Sequence, residues 1–290
     1  MRIFLAGATG AIGRLLVPIL LADGHDVTAL TRRDPSSLRR QGVTAVVGDV
    51  YDAESLREVV AAARPDVVMH QLTDLGSRDF VANGRIRRVG TRNLVDAALA
   101  AGARRVISQS ISWAYEGGDG PAVESTSLDL AAPDEARRGM VEAVAELENI
   151  TAEAPEWVVL RYGMLYGPGT WYTKGGLMAD TGRLPTGSDI TSFLHVEDAA
   201  IAAVQALDWP TGAVNIVDND PAPASAWSPA FAASVGATAP PIAATSRPTE
   251  PTPLTHVSQP TWARGASNTL ARTRLAWTPI YPTWRTGFAS

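Results

Sequence analysis

Short apolar runs alternate with longer stretches in which apolar residues recur every three to four positions, and this alternation fills the chain up to about residue 160. Runs at 2–6, 26–31, 44–48, 66–70, 104–109 and 156–161 have the length and the Val/Ile/Leu content of buried strands. Between them, 11–23, 53–63, 86–101 and 134–153 carry a helical period. Asp52 stands where it would cap the helix containing Leu56, Val59, Val60 and Ala63. Strand and helix in steady alternation predict crossover units, and so an α/β fold with a doubly wound parallel sheet of six strands.

The pattern changes after residue 161. Twelve of the twenty prolines lie beyond residue 209, and 239–262 is too proline-rich for regular structure. A strand at 213–217 and helices near 197–208 and 266–275 stand out as isolated elements. The expected organisation is a nucleotide-type domain over 1–161 and, over 162–290, a smaller substrate-binding lobe with segments that return to the sheet.

Composition narrows the function. With 46% hydrophobic residues the chain can bury a substantial core, and a net charge of −5 disfavours a phosphate-backbone binder, so nucleic acid is not an expected partner. Cysteine is absent, which removes thiolate chemistry and cysteine-held metals, and no metal site is expected. No apolar stretch approaches the ~20 residues that span a bilayer, and the start of the chain lacks the long apolar region of a secretion signal, so a cytoplasmic protein without membrane association is expected.

Gly7-Ala8-Thr9-Gly10-Ala11-Ile12-Gly13 follows the first strand and opens the first helix. In that setting Gly7 permits a tight turn, Gly10 lets backbone approach a pyrophosphate, and Gly13 lets helix pack on strand. The second strand ends in Thr31 and is followed by Arg32-Arg33 rather than by the acidic residue that holds the ribose of NAD. Two guanidinium groups suit a 2′-phosphate, so NADP(H) is the expected cofactor; the competing reading is a pair of solvated loop charges. Asp49 and Val50 close the third strand, where they could flank an adenine ring, with Asp49 equally suited to a turn.

These segments, together with His70-Gln71-Leu72-Thr73, Gly90-Thr91-Arg92-Asn93-Leu94, the run from Leu160 to Gly169 and Phe193-Leu194-His195-Val196-Glu197-Asp198, resemble an extended short-chain dehydrogenase/reductase over nearly the whole chain. The resemblance implies a Rossmann fold, in which Gln71, Leu72 and Thr73 line the cofactor's ribose and Gly163 to Leu165 flank the nicotinamide. For His70 and His195 a satisfied, partly buried histidine is the favoured reading over a catalytic one.

The family's usual Tyr-x-x-x-Lys is missing. Lys174 is the only lysine, and Thr170 stands four residues before it. Aligned on Glu146, the helix over 134–153 puts Arg138 at the tyrosine position and Glu142 at the lysine position, and Arg87 falls near the place of the family's asparagine. The strand-end serine is ambiguous between Ser110, which continues the fifth strand without a gap, and Ser112. Without the family's acid, the oxyanion of a reduced carbonyl needs another hydrogen-bond donor: Ser110, Ser112, a phenol such as Tyr115, Tyr162 or Tyr166, or a hydroxyl of the substrate itself. Trp113, Tyr115, Tyr166, Trp171 and Tyr172 fall near the expected opening, which favours a flat aromatic substrate bound by Trp113, Tyr166 and Trp171.

The expected activity is therefore NADPH-dependent reduction of a polycyclic aromatic, polyketide-type ketone, without a tyrosine acid. Atypical family members that reduce angucyclinones in antibiotic biosynthesis are the kind of protein the chain resembles. A redox-sensing regulator that binds NADP without catalysis is the alternative. The helices over 86–101 and 134–153 offer a homodimer face and equally suit packing on the sheet.

Overall fold

The computed structural model describes residues 1–75, 79–180, 184–239 and 264–289. The proline-rich stretch 239–262 lies outside them apart from residue 239. The first half runs β1 (Arg2–Ala6), α1 (Ala11–Ala22), β2 (Asp26–Thr31), α2 (Ser36–Arg39), β3 (Thr44–Val47), α3 (Ala53–Ala63) and β4 (Val67–His70). It continues through α4 (Phe80–Arg85), a π-helical turn (Ile86–Gly90), α5 (Thr91–Ala100), β5 (Arg105–Ile111), α6 (Glu135–Thr151) and β6 (Glu156–Tyr162). Then follow β7 (Met164–Tyr166), α7 (Leu177–Asp180), β8 (Ile190–Thr191), β9 (Phe193–His195), α8 (Val196–Gln205), β10 (Gly212–Ile216), β11 (Ala222–Pro223), α9 (Ala224–Val235), α10 (Thr269–Arg274) and α11 (Trp284–Gly287).

Seven parallel strands form one sheet in the order β10-β6-β5-β4-β1-β2-β3. The fold is the expected α/β doubly wound sheet, with a seventh strand supplied by the C-terminal half. Winding reverses between β1 and β4, and such a reversal opens a crevice at the carboxyl ends of the strands. One face of the sheet packs Ile12, Leu16, Val17 and Leu20 of α1 together with Ala199, Ala200 and Ala203 of α8. The other packs Leu56 and Val60 of α3 with Leu94, Val95 and Ala98 of α5. Strands buried on both sides explain the nearly unbroken apolar runs in the sequence. Asp52 caps α3, its carboxylate accepting the Ser55 amide at 3.1 Å.

The remaining segments build a small lobe around edge-to-face aromatic contacts among Tyr166, Tyr172, Phe193, Trp227, Phe231 and Phe288. Two buried carboxylates fasten the C-terminal segment to it. Asp198 accepts the amides of Ile280 and Tyr281, and Asp218 accepts that of Trp284. Among the described residues no helix is long and apolar enough to cross a membrane.

Candidate active site

At the reversal point Gly7 has φ +105°, and a Cβ there would overlap the Gln71 carbonyl oxygen. A Cβ on Gly13 would overlap the Gly7 carbonyl oxygen, which explains the glycine at both positions. Gly10 is the N-cap of α1, with no side chain capping that end and no acidic residue in the first turn. The amides of Ala11, Ile12 and Gly13 thus form an open, electropositive helix end suited to a pyrophosphate.

Nine residues singled out from sequence line one open cleft of about 230 Å³: Gly7, Thr9, Gly10, Arg32, Arg33, Val50, Gln71, Leu72 and Thr73. Leu30, Thr31, Gly48, Tyr51 and Ile86 complete its wall. Neither polar atom of the buried Gln71 carboxamide has a partner of good hydrogen-bond geometry among the described residues, although the Tyr162 hydroxyl lies close by, so this wall holds polarity that the protein leaves incompletely satisfied. Arg32 and Arg33 are exposed at the rim, and the Thr31 hydroxyl accepts the Arg33 amide at 3.1 Å. An incompletely satisfied carboxamide, an uncapped helix end and a pair of rim guanidiniums fit a dinucleotide.

Three expectations about the cofactor wall change, and one residue joins it. Asp49 is the turn residue, its carboxylate accepting the Tyr51 amide at 3.0 Å. Tyr51, which no sequence signal singled out, takes the wall position, with the Arg85 guanidinium 4.0 Å above its ring. Gly163 is not among the residues that line the cleft; a Cβ there would sit 2.8 Å from the Ser192 carbonyl oxygen, so the glycine serves the close approach of β9. Leu165 packs against the core shared by α1 and α8.

The two histidines are structural. His70 Nδ1 accepts the Leu72 amide at 3.2 Å, so Nε2 carries the proton and donates to Thr91 Oγ1 at 2.9 Å. Burial and the nearby Arg87 hold His70 at a pKa of about 4. His195 caps α8 by accepting the Glu197 amide.

Of the proposed hydrogen-bond donors, two are committed elsewhere. Ser110 faces α6, and its hydroxyl donates to Glu148 at 2.7 Å. Glu148 also holds Arg161 in a two-pronged ion pair, at 2.9 and 2.6 Å, with both side chains about one-tenth exposed. Burial alone would lower the Arg161 pKa, but the Glu148 carboxylate outweighs it and raises it. Arg161 Nη1 donates to the Tyr115 hydroxyl, which in turn donates to Asn215 Oδ1 at 2.6 Å. Burial pushes the Tyr115 phenol up to about 12 despite Arg161. Ser110 and Tyr115 are thus parts of a buried network joining β5, β6, α6 and β10, not donors to a substrate.

Ser112 is placed differently. With Trp113, Met164, Ile190, Thr191, Ser192 and Gly265 it lines a separate, narrow pocket of about 10 Å³ beyond the end of β5. Among the described residues its hydroxyl has no hydrogen-bond partner. Trp113 reaches this wall, whereas Tyr166 is fully buried among Phe193, His195 and Phe288, and Trp171 packs on the same aromatic cluster. Tyr166 and Trp171 therefore belong to the packing of the small lobe.

On α6 neither residue at the expected tyrosine and lysine positions is the inward one. Glu142 is exposed, and Arg138 donates to the Ala132 carbonyl. The inward residue is Arg137, paired with Asp129 at 2.7 Å and donating to the carbonyls of Trp113 and Tyr115. It clamps the loop that carries Ser112 and Trp113. No tyrosine or lysine stands on α6 in either frame.

Residues 7–208 match a family model described as NAD(P)H-binding. The chain belongs to the NAD(P)H-binding family. It is 45% identical to the 3-diazoavenalumate denitrifying reductase of a Streptomyces species, with 99% of each chain covered. It is 31% identical to the ceramide reductase of Caulobacter vibrioides over 69% of this chain and 59% of that one. Among solved structures, UDP-glucose 4-epimerase from Thermotoga maritima superposes with a TM-score of 0.75 at 19% identity, covering 100% of this chain and 96% of that one. The dTDP-glucose 4,6-dehydratase of Bacillus anthracis, in complex with NAD, gives 0.74 at 18%, covering 100% and 94%. These neighbours share the fold, and the extended short-chain layout fits them.

Proposed function

We propose that this NAD(P)-dependent reductase uses NADPH to reduce an aromatic substrate whose reacting group takes hydride without drawing a proton from the protein, an arenediazonium group above all. The observation that carries this reading is the site's lack of an acid. The tyrosine–lysine pair is absent, and Ser110 and Tyr115 are locked into a buried network. Reduction of a ketone builds an oxyanion that must be stabilised and protonated. An arenediazonium cation plus hydride balances to the arene and N2: one C–N bond breaks, one C–H bond forms, two electrons are taken up, and no proton is needed. The Streptomyces relative, named for denitrifying a diazo compound, supports the same chemistry.

The chain's own residues would bind and orient. The first-turn amides of α1 would hold the pyrophosphate, Arg32 and Arg33 the 2′-phosphate, Val50 and Tyr51 the adenine side, and Leu72 and Thr73 the ribose. When bound, the dihydronicotinamide supplies hydride. Ser112 and Trp113 would hold the reacting face of the substrate, on a loop clamped by Arg137.

A second reading rests on the unpartnered Ser112 hydroxyl. It could hydrogen-bond the carbonyl oxygen of a polycyclic aromatic ketone whose own neighbouring hydroxyl supplies the proton, as in the reductases of antibiotic biosynthesis.

One experiment decides between them. The protein is incubated with NADPH carrying deuterium at C4 and, in parallel, with ¹⁵N-labelled hydroxyarene diazonium salts and hydroxy-substituted polycyclic ketones. Labelled N2 with deuterium on the arene is expected. Deuterated alcohol without arene would establish the ketone reading, and tight NADPH binding without turnover of either panel would leave a non-catalytic regulator.

A further inference from the structure

Arg87 belongs neither to the cofactor wall nor to the buried Ser110–Glu148–Arg161–Tyr115 network described above. It sits on the π-helical turn between α4 and α5 with 8% of its surface exposed. Such turns are rare and recur at functional sites, where the extra residue re-aims a side chain. Among the described residues the Arg87 guanidinium has no hydrogen bond and no ion pair, yet none of its nitrogens is sealed from solvent.

The charges around it do not balance. Glu148 is the carboxylate within electrostatic range, and its oxygens are taken by Arg161 and Ser110. His70, also in range, is neutral at pH 7 because burial and Arg87 hold its pKa near 4. Burial lowers Arg87 itself only to about 10, so it stays charged. Two guanidiniums therefore share one carboxylate in a buried layer at the ends of β4 and β5. An unpaired buried cation is costly unless a ligand brings the missing charge.

The anionic parts of the cofactor are provided for elsewhere, at the N-terminus of α1 and at Arg32 and Arg33. Ile86, next to Arg87, lines the cleft, and His70 leads into Gln71 and Leu72 of the same wall. We propose that Arg87 is the receptor for a carboxylate carried by the aromatic substrate. The planar guanidinium matches a carboxylate through two parallel N–H donors. Reading the ligand as substrate rests on the reductase assignment; recognition of the anion does not.

The test measures binding without turnover. Protein loaded with NADP⁺ is titrated with a hydroxynaphthoate and with its methyl ester, followed by calorimetry and by thermal shift. Wild type should bind the acid about 10- to 100-fold tighter than the ester. Arg87→Met should lose that preference while ester and NADPH affinities stay unchanged, and Arg87→Lys should keep part of it. Unliganded Arg87→Met should melt no lower than wild type, because an unpaired buried charge is removed, whereas a structural arginine would leave the variant less stable. Equal binding of acid and ester by wild type, or a preserved preference in Arg87→Met, overturns the proposal. A preserved acid preference in a protein that reduces no substrate would instead refute the reductase reading alone.

Discussion

Replacing Glu148 by alanine leaves the Arg161 guanidinium buried without a counter-charge, strips Ser110 of its acceptor, and removes the carboxylate that faces Arg87. Arg161 keeps the Tyr115 hydroxyl and the Glu124 carbonyl, which satisfy geometry but not charge. Breaking a buried pair by removing one partner costs about 3–5 kcal/mol. Both side chains are only about one-tenth exposed, so solvent does little to soften that loss. At roughly 2–4 °C per kcal/mol, the expected fall in Tm is about 6–20 °C. Urea unfolding followed by tryptophan fluorescence measures the free energy, and scanning calorimetry measures Tm. Glu148→Gln, which keeps acceptor capacity but not charge, should fall between wild type and alanine. The double change Glu148→Leu with Arg161→Met should recover most of the loss, because no charge is then stranded. A Glu148→Ala protein within about 0.5 kcal/mol of wild type, the range of an ordinary surface change, would refute the reading of this network as the support that ties α6 to β5 and β6.

Further outcomes follow from the same geometry. Ser110→Ala and Tyr115→Phe should each lose about 1–3 kcal/mol of stability and keep turnover per folded molecule; a large drop in kcat with normal folding would return either residue to the site. Arg32→Ala should weaken NADPH by about tenfold with little effect on NADH, measured by fluorescence titration, and equal losses would refute the 2′-phosphate assignment. Gly13→Ala drives a Cβ into the Gly7 carbonyl, so NADPH binding should be lost, and wild-type affinity would mean that the loop shifts freely. Asp218 is raised to about 7 by burial, against the amides of Asp220 and Trp284 that lower it. The folded state therefore holds this proton up to about pH 7, and the associated stability is lost as pH rises through that value. Asp218→Asn should gain about 2 kcal/mol relative to wild type between pH 5 and pH 8 in urea unfolding, and a constant difference would refute the shift.

The nucleotide half was readable because its strands are buried on both faces and its glycines are required by backbone contact, two constraints that leave plain marks in a sequence. Asp52 as the cap of α3 and the loss of the tyrosine–lysine pair were equally direct. The small lobe was not, because its aromatic residues look alike whether they line a pocket or fill a core; Trp113 reaches a cavity, while Tyr166 sits fully buried. The serine choice failed for a geometric reason: Ser110, still within β5, faces Glu148 of α6, whereas Ser112 lies past the strand end at Ile111, where the chain has left the sheet. On α6 the sequence marked Arg138 and Glu142 but not Arg137, because a periodic pattern fixes a buried face and not the one polar residue on it that a carbonyl clamp selects. Arg87 was visible only as a replaced asparagine, and its meaning depended on charges from three other elements.

The edge strand β10 pairs with β6 from Gly212 against Val158 to Ile216 against Tyr162, and carries the Asn215 that receives the Tyr115 hydroxyl. During synthesis β6 leaves the ribosome with an open flank of unpaired backbone N–H and C=O groups, which stays uncovered until residue 216 has emerged. The natural-looking cut at residue 161 would make that exposure permanent, and an expressed fragment ending there should self-associate through β6 rather than yield a working nucleotide domain.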